Sequence, residues 1–127
     1  MSSGEGANFT ISQEGGIRLI EGSPGQTLMH TGNDVDLVVE ACFSERIQSV
    51  ILYAPNLPQR FFDLSSGEAG TILQKLRNYR IRLAVVWTPE DAQLNDKFRD
   101  MVTEEKRGNH FQLFESREAA RAWLIQI

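Results

Sequence analysis

Asp63, Ser65, Ser66, Gly67, Glu68 and Gly70 stand within eight positions of one another, directly ahead of a helix-forming run. Side-chain hydroxyls and glycines at the start of a helix are suited to holding or carrying an anion. The first N–H groups of a helix have no partner inside it, and the peptide dipoles leave partial positive charge there. Ser65 and Glu68 have capping-box spacing, in which the hydroxyl accepts from the third helical N–H and the carboxylate returns to the cap. Such a cap is worth about 1 kcal/mol. Ser66 then falls at the first helical position with no backbone role for its hydroxyl. Gly67 and Gly70 keep this end open to close approach. Gly70 inside a helix costs about 1 kcal/mol relative to alanine, which tight packing or a partner would offset.

A phosphate on Ser66 would bring a charge of roughly −1.5 to −2 and three strong acceptors. The helix dipole would favour it by about 0.3–1 kcal/mol, while Asp63 and Glu68 would oppose it. Fold stability changes little and surface potential changes greatly, as a switch requires. The same N–H groups suit a nucleotide or inorganic phosphate, so a small-molecule or anion-binding domain is the alternative reading.

Other residues that do chemistry are scattered. His30 and His110 lie far apart without ligand-spaced neighbours, and Cys42 falls on an apolar helix face. Metal sites need three or four ligands, so neither metal nor cofactor is expected. Neither G-x-G-x-x-G nor G-x-x-x-x-G-K occurs, which removes the common phosphate loops. Asp63 alone makes no acid–base pair, and no nucleophile and base are brought together by spacing. The expectation is a non-enzymatic domain. Lys75, Arg77, Arg80 and Arg82, with Arg60 nearby, form a local basic cluster, read as a solvated helix face or as a contact for an acidic partner. Trp87 and Trp123 read as core.

The elements that position the serines follow from periodicity. Phe9–Gln13 and Ile17–Glu21 read as strands around a Glu14-Gly15-Gly16 turn. Val35, Val38, Val39 and Cys42 define a helix face, with Asn33 as its cap. Ser49–Ala54 is a continuous apolar run, as for a strand covered on both faces. Leu64–Arg80 reads as one helix with Ala69, Ile72, Leu73 and Leu76 inward, and Ile81–Trp87 as a second buried strand. Thr88-Pro89-Glu90-Asp91 reads as a helix start, with Leu94, Phe98, Met101 and Val102 along the apolar stripe. Arg107-Gly108-Asn109 ends that helix. His110–Phe114 is a last strand, and Ser116 caps a final helix with Ala120, Trp123, Leu124 and Ile127 inward. The order ββαβαβαβα implies a mixed, mostly parallel α/β sheet of about four to five strands with helices packed on it.

The chain has 127 residues, one cysteine and a formal net charge of −4. The length suits one domain with a core of its own. Residues 1–8 are expected as a flexible arm and 9–127 as the domain. The acidic balance argues against nucleic acid, whose phosphates call for a basic surface. A lone cysteine excludes an internal disulfide. No apolar run approaches a membrane span and the first residues show no secretory pattern, so membrane insertion is not expected and the cytoplasm is the default. A protein partner is expected, and the hairpin edge or a helix offers a surface for a weak homodimer.

Two resemblances add to this reading. The segment FFDLSSGEAGTILQKLRNY (61–79), then IRLAVVW (81–87) and RGNHFQLFESREAARAWL (107–124), closely resembles the bacterial domain of unknown function 4180. That family carries no established activity. More distantly, the serine region is similar to that of STAS domains, the fold of anti-sigma-factor antagonists, where D-S-S-G-L-G-x-x-L opens a helix. There the serine before the glycine is phosphorylated by a partner kinase, which implies Ser66 here. The STAS resemblance also implies a mixed sheet with helices on one side. This chain departs from the pattern by the inserted Leu64 and by Glu68-Ala69-Gly70 in place of Leu-Gly.

Overall fold

The computed structural model describes residues 9–126. The arm expected over residues 1–8 and the inward Ile127 lie outside the described residues. Five strands form one sheet, β1 (Phe9–Glu14), β2 (Ile17–Gly22), β3 (Ser49–Tyr53), β4 (Arg82–Val86) and β5 (Phe111–Phe114). They lie side by side in chain order, with β1 and β2 antiparallel and every other pair parallel. Four α-helices join or follow the strands, α1 (Asp36–Glu45), α2 (Glu68–Asn78), α3 (Asp96–Arg107) and α4 (Arg117–Ile125).

The hairpin turn works as the sequence reading required, with Gly15 and Gly16 at φ of 58° and 87°, where side-chain-bearing residues are strained. From β2 onward each crossover steps one strand in the same direction. Right-handed crossovers therefore put α1, α2 and α3 on one face. Side chains alternate along each strand accordingly. Ile20, Val50, Leu52, Leu83 and Val85 face those three helices, and Leu19, Ile51 and Ala84 face the other way. That second face is covered by Ala120 and Leu124 of α4, so the helices are not all on one side as the STAS resemblance implied. With no strand after it, α4 is free of the crossover rule and covers the apolar residues that would otherwise meet water.

An ionic clamp fixes α4. Arg117 reaches Glu14 at 2.6 Å and Glu21 at 2.9 Å, and Arg121 reaches Glu14 at 2.5 Å. Those arginines, bonded first through Arg117, together with the Ser12 hydroxyl hold the Glu14 carboxyl down at about 2. The Tyr53 hydroxyl donates to Glu21, and burial followed by that carboxylate pushes the phenol up to about 12.

Three local expectations are corrected. Asn33 does not cap α1, because a 3-10 turn over Gly32–Val35 precedes the helix and the Asp34 carboxylate takes the His30 and Thr31 N–H groups. Thr88 does not cap α3. Asp91 folds back onto the Thr88 N–H (2.9 Å) and hydroxyl (3.2 Å), closing a turn, and the cap is Asn95, which accepts from Phe98 N–H at 2.8 Å. The expected helix over 64–80 is interrupted at Gly67, and α2 starts at Glu68. Ser116 does cap α4, accepting from Ala119 N–H at 3.2 Å.

Candidate functional site

In parallel α/β sheets the loops at the carboxyl ends of strands are where ligands and reactive groups gather. Here the loop after β3 holds the serine junction. Phe61 anchors it, fully buried and edge-on to Phe62, Phe98 and Phe111 at ring distances of 5.1, 5.8 and 6.2 Å. Asn56, also fully buried, ties the loop to the segment after β2. Its side-chain amide donates to the Ser23 and Gln26 carbonyls at 2.7 Å each, and its side-chain oxygen accepts from Tyr53 N–H at 2.7 Å.

The six residues singled out at the junction do come together, in an arrangement other than a capping box. Leu64–Ser66 is a 3-10 turn capped by Asp63, whose Oδ1 accepts from Ser65 N–H at 3.1 Å and from the Ser65 hydroxyl at 2.6 Å. The Ser65 hydroxyl, then the Arg60 guanidinium, hold the Asp63 carboxyl below its ordinary range. Gly67 lies at φ 83° and precedes α2. Glu68 turns away from Ser65, and its Oε1 accepts from Gly32 N–H at 2.9 Å. A Cβ on Gly32 would stand 3.0 Å from that oxygen, so glycine keeps the contact open.

Ser66 is not without a backbone role. Its hydroxyl donates to the Arg60 carbonyl at 2.8 Å and accepts from Glu68 N–H at 3.2 Å. It bridges the loop and the first turn of α2 while remaining partly exposed. Gly70 faces open space, with no atom within 4 Å of where its Cβ would be. Of the two expected reasons for this glycine, tight packing therefore does not apply.

Beside the junction is a cleft of about 450 Å³ whose wall includes Gln59 and Phe62 from the same loop and His30 and Asp91 from its neighbours. Among the described residues no three His, Cys, Asp or Glu side chains are grouped to hold a metal ion. Cys42 is buried among α1's apolar contacts, and burial pushes its thiol up to about 12.

The basic cluster read from the sequence separates. Lys75 pairs with Asp36 at 3.0 Å, Arg77 with Glu105 at 2.6 Å and Arg60 with Asp63 at 3.4 Å. Arg80 and Arg82 instead meet Arg18 and Arg46 around a cleft at the opposite, amino-terminal edge of the parallel strands. Sequence reasoning missed Arg18 and Arg46, which lie 28 positions apart and become neighbours through the pairing of β2 with β3. Trp123 shields the inner side of this group, with the Arg82 guanidinium 4.2 Å from its ring centre.

Among the described residues no helix is long and apolar enough to cross a membrane. Residues 14–124 match the family model described as domain of unknown function DUF4180, and the chain belongs to that family. No curated protein and no solved structure matches it.

Proposed function

We propose that this DUF4180 member is a non-enzymatic, STAS-like regulatory domain that binds a protein partner through the junction of Ser65, Ser66 and Gly67 with the start of α2. Asp63, Glu68 and Gly70 frame that surface, and Ser66 is its phosphorylatable residue. The observation that carries this reading is the pair of hydrogen bonds of the Ser66 hydroxyl, donated to the Arg60 carbonyl and accepted from Glu68 N–H. A phosphoester oxygen has no proton to donate, so modification releases the Arg60 carbonyl. It also places a charge of roughly −1.5 to −2 beside the helix start. The loop that walls the cleft then loses its tie to α2, and a partner meets both a new charge and a new loop position. Open space over Gly70 lets a partner approach the first turn.

The test has two parts. Intact-mass and peptide mass spectrometry of the protein from its native cells should show phosphate on Ser66. Affinity capture with the wild type and with Ser66→Asp should return different partners. An unmodified Ser66 together with identical partners for both forms would remove the switch.

The cleft beside the junction favours a second reading, a domain binding a nucleotide or phosphate at the same helix start. A ligand held at a hundred times its Kd should raise stability by about 2.7 kcal/mol. A nucleotide and phosphate panel that leaves the melting temperature unmoved would count against it.

A further inference from the structure

The amino-terminal edge of the sheet carries a second, unassigned site. A cleft of about 320 Å³ is lined by Arg18, Arg46, Arg80 and Arg82, in a chain whose formal net charge is −4. Among the described residues Arg18 alone of the four has an acidic partner, Glu45 at 3.3 Å. Arg82 is bonded only to neutral oxygens, the carbonyls of Asn109, Trp123 and Leu124 and the Asn109 side chain, at 3.1–3.3 Å. Arg46 and Arg80 make no ion pair among the described residues. Both stand at φ near 60°, just past the ends of α1 and α2. This is the position where glycine is preferred, because a Cβ is strained there. Two arginines are thus held in an unfavourable backbone conformation beside a third that has no carboxylate partner among the described residues.

The arginine cleft adjoins a larger groove of about 690 Å³, and Arg46, Ile47 and Gln48 line both. The groove has apolar walls from Val39, Ile47 and Ile81, and Phe43 and Tyr79 stand at its rim, 82% and 50% exposed. An apolar trough that ends in guanidinium groups, three of them with no carboxylate partner among the described residues, is complementary to a molecule with an apolar body and an acidic head. Both volumes fall in the range of small-molecule sites, about 300–1,000 Å³. A stable protein partner would cover about 800 Å² on each side, whereas the large exposed apolar side chains at this edge are only Phe43 and Tyr79.

We infer that this edge binds a free amphipathic organic anion, its acidic head between Arg46 and Arg80 and its apolar body along Ile47, Phe43 and Tyr79. Most of the Arg82 N–H groups are already bonded, so Arg82 contributes field. Arg46 and Arg80 contribute the hydrogen bonds. The site lies at the opposite edge from the serine junction and does not depend on its role.

The full chain should be titrated calorimetrically with decanoate below its micelle concentration, and with decyl maltoside as a neutral molecule whose tail is one methylene longer. Decanoate should bind at least tenfold more tightly. The double variant Arg46→Gly/Arg80→Gly removes both charges and relieves the left-handed backbone. It should melt no lower than the parent and bind decanoate at least tenfold more weakly. Phe43→Ser should weaken decanoate several-fold. Equal binding of decanoate and decyl maltoside, unchanged binding by the folded double variant, or no decanoate binding would each overturn the inference. Sedimentation with phosphatidylglycerol vesicles separates the sources of the acidic head. Binding to vesicles without binding to decanoate assigns the arginines to a bilayer and overturns a free ligand.

Discussion

The two edges of the sheet treat their polar groups in opposite ways. At the carboxyl edge the hydroxyls and carboxylates near the junction are taken up by hydrogen bonds within the fold. Ser65 answers Asp63, Ser66 answers Arg60 and Glu68, Glu68 answers Gly32, and Asp91 answers Thr88. At the amino edge arginines crowd together, three of them with no carboxylate partner among the described residues. Short polar side chains bond locally and shape loops. Arg82 spends most of its N–H groups on backbone carbonyls, while Arg46 and Arg80 are exposed and leave charge at the surface. The carboxyl edge therefore has its polar groups bonded within the fold, and the amino edge presents arginines without carboxylate partners among the described residues.

Asn56→Ala would disturb the carboxyl edge most. It takes the acceptor from the Tyr53 N–H and removes the two bonds by which the buried amide ties the Ser23 and Gln26 carbonyls to this loop. An N–H left unpaired costs about 1–3 kcal/mol and each lost bond about 1 kcal/mol, and a loss of about 3 kcal/mol is expected in urea unfolding. A loss under 1 kcal/mol would mean that this edge is not held by its polar groups.

Acid should loosen α4 from the second face of the sheet through its ionic clamp. Glu14 is held at about 2 against an ordinary value of 4.5. Its pKa is depressed in the folded state, so its stabilisation is complete above pH 4.5. It is lost as pH falls from 4.5 through about 2. Allowing for solvent screening, the change is about 1–2 kcal/mol. Glu14→Gln should flatten the stability curve across that window, and an unchanged slope would exclude the clamp as its source.

Ser66→Ala removes the bridge between loop and helix at a partly exposed position. A cost of about 1 kcal/mol is expected, with Ser65→Ala alongside as a measure of the neighbouring hydroxyl. Equal small effects from both would weaken the special place given to Ser66. The smallest effect should have the opposite sign. Gly70→Ala meets open space and should raise stability by about 0.5–1 kcal/mol. If it destabilises instead, the glycine serves packing or backbone geometry and not a partner's approach.

The strands, the hairpin glycines and the inward stripes of α1, α2 and α4 were legible because they rest on periodicity and on turn chemistry within a few residues. The start of α2 was partly legible. The serine, glycine and acidic residues marked a helix junction correctly, yet the bonds they make could not be assigned. Ser65 had two acceptable partners in sequence, the helix ahead and Asp63 behind, and Asp63 is nearer once Leu64–Ser66 turns as a 3-10 helix. Thr88-Pro89 misled for a related reason, since Asp91 closes a turn there before a helix can begin.

By itself the sequence determined the alternation of strand and helix and the place of the serine junction, because those depend on neighbours along the chain. Only the tertiary structure decided the rest. It sent Glu68 to Gly32, 36 positions away, and put α4 on the second face of the sheet. It also drew Arg18 and Arg46 beside Arg80 and Arg82. Such contacts depend on which strand pairs with which, and residues far apart in sequence acquire a common environment only when the sheet assembles.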